Sequence, residues 1–124
     1  MQKTKDLEIC VDREKLIKLL KNYFIREDKL QYFLQSFSFL LTESDKEILE
    51  ILRKLENNEK SPFEAILELK NIAIRLIDKN DFFNAGRVSG IIAVSASDPL
   101  REKLIEEIYK HVIEKEKSLR LREK

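Results

Sequence analysis

A chain of 124 residues with 38% charged and 43% apolar side chains has the balance of a folded protein, not a disordered one, and its length suits one domain. Its 24 Lys and Arg nearly cancel its 23 Asp and Glu, which argues against a strongly basic nucleic-acid binder but leaves local patches open. One cysteine excludes an intramolecular disulfide, and no apolar run is long enough for a membrane span or a secretory leader, so a cytoplasmic setting is expected. The Lys- and Glu-rich, Trp-free composition is also common among thermophile proteins.

The first segment, Leu7-Glu8-Ile9-Cys10-Val11, alternates apolar and polar residues as a strand does. It is too short to make a sheet alone. Residues 1–11 are therefore expected to form an extended arm, or an edge strand paired across a dimer. Asp12 then caps a helix whose apolar face holds Leu16, Ile17, Leu19, Leu20, Tyr23 and Phe24. Arg26-Glu27-Asp28 either continues this helix or breaks it, and Asp28 with Gln31 resembles a capping box. A regular stripe follows in Leu30, Phe33, Leu34, Phe37, Leu40 and Leu41.

Ser44 and Glu47 have capping-box spacing ahead of Ile48, Leu49, Ile51, Leu52 and Leu55, and Asn57-Asn58 ends that helix. Ser61, Pro62 and Glu64 are the clearest helix start in the chain. The apolar arc behind them, from Phe63 to Ile77, is too wide for a surface helix and predicts a central one. Asp78-Lys79-Asn80-Asp81 predicts a tight turn, with Asp81 capping a helix of small residues that runs through Gly86 and Gly90. Asp98-Pro99 starts the last helix, with Leu100, Leu104, Ile105, Ile108, Val112 and Ile113 facing inward. The pattern fades after Lys115. The prediction is an all-α fold: a compact bundle of five or six antiparallel helices, with a single domain over 12–117 and a fraying tail over 118–124.

Residues 66 to 99 have the length of one tetratricopeptide repeat. Ala73 and Leu76 stand where the first repeat helix carries a small and a bulky residue. Asn80 to Ala85 is similar to the family's turn and second-helix start, and Asp98-Pro99 to its closing proline. The stretch therefore resembles a tetratricopeptide-like helical hairpin, with Leu69 at the tryptophan-like position. An ordinary antiparallel hairpin fits the same residues. Residues Thr42 to Leu52 and Ser61 to Ile66 resemble the first two helices of a winged helix–turn–helix domain, but Lys70 to Ile77 is too apolar for a recognition helix.

Gly86, Ser89, Gly90, Ala93 and Ser97 line up as a flat ridge on one helix. The ridge is either the closest intrachain helix crossing or a contact with a protein partner or a second copy. Tyr32 and Phe39 cannot share one narrow face with Phe33 and Phe37, so they are candidates for the same interface. Lys15, Lys18 and Lys21 form a basic row that could touch phosphates, with Glu14 among them.

Signals for catalysis are poor. His111 and Cys10 lie far apart in sequence, no Gly-rich phosphate loop exists, and no Cys/His metal spacing exists. The carboxylate pairs Glu64/Glu68 and Glu102/Glu106 read as surface charges, and Glu107 and His111 are four apart where a di-iron bundle needs three. The expectation is a protein-interaction or scaffold module without metal or cofactor, able to self-associate, with a small helical nucleic-acid-binding subunit as the alternative.

Overall fold

Helix boundaries in this chain are set by side chains that satisfy backbone groups left open at helix ends. The computed structural model describes residues 7–26 and 42–123, and within them lie five helices. They are α1 (Arg13–Arg26), α2 (Glu43–Glu56), α3 (Pro62–Asp78), α4 (Phe82–Ser95) and α5 (Leu100–Glu123). Asp12 accepts from the backbone N–H of Lys15 at 3.1 Å and starts α1. Ser61 accepts from Glu64 N at 3.1 Å, Glu64 reaches back, and Pro62 follows the cap, as expected. Asp81 starts α4 by accepting from Asn84 N at 3.3 Å. The cap of α2 differs from the expected Ser44–Glu47 box. Thr42 is the cap and Asp45 closes the box, each bonded to the other's backbone N–H at 3.1 Å. Ser44 and Asp45 are buried, while Glu47 is drawn to Arg75 of α3.

Two helix ends share one device. After α2 and α3 the chain enters the left-handed region at Asn58 (φ 60°) and Asn80 (φ 65°). Glu59 N then bonds Lys54 O, and Asp81 N bonds Leu76 O, both at 2.8 Å. These are Schellman closures with asparagine where glycine is commoner. Asp81 thus ends α3 with its backbone and starts α4 with its side chain, which makes the α3–α4 turn short.

The helices α1, α2, α3 and α4 form a closed ring of neighbours, and α5 lies across α3 and α4. The most extensive contact is between α3 and α4. Leu69, Ile66, Ile72 and Ile77 of α3 meet this core fully buried, as do Phe24, Leu16 and Leu20 of α1, Ile48 and Leu55 of α2, and Ile92 of α4. Each such side chain contributes about 1.5–3 kcal/mol by leaving water. The central position expected for α3 is found, and α4 shares it, since each touches three other helices.

In the last described turn of three helices a backbone carbonyl accepts from a cation of another helix. Arg13 of α1 donates to Leu55 O of α2 at 2.7 Å, and Arg87 of α4 to Tyr23 O of α1 at 2.9 Å. Lys115 of α5 donates to Asp78 O of α3 at 3.0 Å. A positive charge beside the negative end of a helix dipole is stabilising, and these contacts also tie the helices together.

Residues 7–11 are arranged differently from expectation. Leu7 to Cys10 make a helical turn instead of an extended arm, with Cys10 N bonded to Leu7 O at 3.0 Å. Val11 then forms an isolated antiparallel bridge with Ala96, and Ser97 N bonds Cys10 O at 2.7 Å. The edge expected to pair across a dimer is thus taken by the α4–α5 connection of the same chain, and Cys10 is buried behind it. At the other end α5 runs to Glu123, through most of the residues expected as a fraying tail.

Candidate interaction face

Ala85, Val88, Ile91, Ile92 and Ser95 turn one face of α4 into the core. That rotation sends Phe83, Gly86, Gly90 and Val94 outward. Phe83 is 73% exposed and Val94 55%, and both glycines are exposed. A Cβ added at Gly86 or Gly90 would meet no heavy atom within 4 Å among the described residues. The glycine pair therefore does not mark the closest helix crossing within them. The buried small residues of the tight α3–α4 pair are Ala65, Ala73, Ala85 and Ser95.

The expected ridge divides into three. Gly90 lines a shallow groove between α1 and α4 of about 460 Å³, together with Leu19, Tyr23, Arg87, Ile91 and Val94. Ala93 turns toward α5 and lines a different groove. Ser97 belongs to the N-terminal bridge, its hydroxyl 3.3 Å from Cys10 O, while Ser89 bonds back to Ala85 O at 2.7 Å. Tyr32 and Phe39 lie outside the described residues.

Arg87 is the ordered polar element of the α1/α4 groove. Its guanidinium sits 3.9 Å over the Tyr23 ring and 5.9 Å from that of Phe83. It donates to Asn84 Oδ1 at 3.2 Å as well as to Tyr23 O. Stacking and hydrogen bonding together hold a positive charge at the groove wall. Beneath it, Tyr23 donates its phenol hydrogen to buried Asp45 at 3.2 Å. Burial first, and then the Asp45 carboxylate, push the phenol well above its ordinary pKa, so it stays a donor. No local pattern in the sequence marks Arg87 for this place, since one of its partners is a carbonyl 64 residues earlier.

A second groove separates α2 from α3 and is lined by charges, among them Glu47, Glu50, Lys60, Glu68 and Arg75. These charges pair with near neighbours. Arg75 bonds both oxygens of Glu47, Lys60 bonds Glu68, and Arg53 grips Glu50 at 2.7 and 2.9 Å. The Arg75 hydrogen bond holds the Glu47 carboxyl below its ordinary range, and the Arg53 bond does the same for Glu50. Glu64 is lowered by the Ser61 backbone it caps.

Lys15, Lys18 and Lys21 are exposed on α1, and Lys21 is neutralised by Glu56 at 3.0 Å. Among the described residues no cluster of His, Cys, Asp and Glu is placed to hold a metal ion. His111 lies 2.6 Å from Asp78, and Cys10 is at the opposite side of the sequence in the N-terminal turn. No described helix is long and apolar enough to cross a membrane. Compared with protein-family models, with curated proteins and with solved structures, the chain shows no match.

Proposed function

We propose that this chain is a protein-association module whose α1/α4 face receives a helix of a protein partner. The observation that carries the reading is the outward glycine pair. Each glycine weakens α4 by about 1 kcal/mol relative to alanine. Among the described residues nothing fills the space a Cβ would take. Close approach by an outside backbone is the use that such a surface retains. The surroundings suit it: Phe83 and Val94 are exposed, and Leu19 and Ile91 line the floor. A partner helix with an apolar stripe has the matching chemistry.

The test separates an internal need for glycine from an external one. The double variant Gly86→Ala/Gly90→Ala should raise the unfolding free energy of the purified chain by about 1–2 kcal/mol in urea. Gly90→Leu should fold like the parent but lose the products that a photoreactive side chain in place of Val94 forms with proteins of the source cells. A less stable alanine variant, or unchanged cross-linked products with Gly90→Leu, would overturn the reading.

A further inference from the structure

The longest helix, α5, outruns the core it starts on. It has 24 residues, about 36 Å at 1.5 Å per residue. Leu100, Leu104 and Ile108 are buried, and Ile105 and Val112 partly so. Among the described residues the last tethers to another helix are His111 and Lys115, both on Asp78. From Glu116 to Leu121 no side chain is buried, and the polar contact found there among the described residues is Arg120 with Glu116 of the same helix, at 2.6 Å. Beyond Lys115 the end of α5 is thus a projecting arm, on which Leu119 is half-buried.

The first half of α5 borders a groove. With α4 it encloses an open trough of about 740 Å³ whose charged lining is Asp98, Glu102 and Glu106 against Arg101, with Ile105 and Tyr109 among them. The trough is net acidic, while the arm carries Lys117 and Arg120 beside Glu116. Positions 102, 106, 109, 113, 117 and 120 follow three-and-four spacing and make one stripe along the helix. In order they are Glu102, Glu106, Tyr109, Ile113, Lys117 and Arg120. Tyr109 is 63% exposed, all four charged members are exposed, and Ile113 is half-buried. Among the described residues Glu102, Glu106 and Lys117 have no ion-pair partner, and the surface pair of Arg120 with Glu116 is easily exchanged.

This stripe is complementary to itself reversed. Turned end for end about a point near His111, Glu102 meets Arg120, Glu106 meets Lys117, and Tyr109 meets Ile113. A two-fold axis repeats each pairing, as an isologous interface requires. We infer that two copies of this chain associate through antiparallel α5 helices, the arm of each lying along the acidic α4–α5 trough of the other. Apolar contact at Tyr109 and Ile113 forms the centre, and the charge pairs on both sides set direction and register. A parallel pairing would instead set carboxylate against carboxylate and cation against cation. This interface is separate from the α1/α4 face, and the fate of one does not decide the other.

Sedimentation equilibrium of the full chain at low salt tests it with two surface variants. The parent should dimerise with concentration, less tightly as salt rises. Glu102→Lys/Glu106→Lys and Lys117→Glu/Arg120→Glu should each keep the parent's circular dichroism and lose dimer affinity by at least about tenfold, since every pair becomes a repulsion. Mixed in equal amounts, the two variants should form a heterodimer at least as tight as the parent dimer, because all pairs are then attractive. A parent that stays monomeric, variants that dimerise like it, or a mixture that stays monomeric would overturn the proposal. So would a parent that binds a helical partner or an oligonucleotide through Lys117 and Arg120 while remaining single.

Discussion

The α2/α3 groove and the α1/α4 groove are both open surfaces between neighbouring helices, yet their chemistry differs in kind. In the first, Glu47, Glu50, Glu68, Lys60, Arg53 and Arg75 pair among themselves. In the second, the polar groups are turned down into the fold and the apolar ones outward: Arg87 to Tyr23 O, the Tyr23 phenol to Asp45, and Phe83 and Val94 to solvent. A groove that satisfies itself has little to offer a partner. A groove whose anchors are fixed from below, with glycine and apolar side chains left on top, is preorganised to bind at low entropic cost.

The sharpest way to probe this contrast is to cut the α1/α4 groove loose from below without changing its top. Tyr23→Phe keeps the ring under Arg87 but removes the O–H that Asp45 accepts at 3.2 Å. Asp45 is 2% exposed and keeps its bond from Thr42 N. Removing one donor from a buried carboxylate should lower the unfolding free energy by about 1–3 kcal/mol, measured in urea. Cross-linking through position 94 should persist under native conditions. An unchanged stability would mean that the groove is not held from below, and the contrast with the α2/α3 groove would fail.

What the sequence reveals of this arrangement is what depends on neighbours along the chain. Ser61-Pro62-Phe63-Glu64 and Asp81 are caps because a side-chain oxygen lies three residues from the N–H it accepts, and both were readable. The α2 start was misplaced by two residues because Ser44–Glu47 and Thr42–Asp45 have the same spacing. Glu47 lies 28 residues from Arg75, which takes it, and no local rule weighs that. The strand-like alternation of Leu7 to Val11 is likewise ambiguous over five residues, and its partner, Ala96, lies far along the chain. The glycines show that α4 bears a helix cost, but not whether the reason lies inside or outside the chain. The end of α5 lost its apolar pattern because it left the core, not because it left the helix. Local propensity and pairs such as Arg120 with Glu116 sustain it.

The self-paired surface offers the smallest effect and a check of sign. The Arg75 hydrogen bond lowers the Glu47 carboxyl from its ordinary 4.5 in the folded chain. A depressed folded pKa stabilises the fold above the unfolded value, and the gain is lost as pH falls through the lower one. Glu47 and Arg75 are both partly exposed, with 35% and 51% of their side-chain surface open, so screening limits the effect to that of a surface pair. That is about 0.2–1 kcal/mol, and less as salt rises. Glu47→Gln should therefore be slightly less stable than the parent at neutral pH, and the two should converge as pH drops below 4.5. Adding salt at neutral pH should narrow the same gap. A gap that persists at acid pH would show that Glu47 acts through packing, and the α2/α3 surface would then owe its order to shape instead of charge.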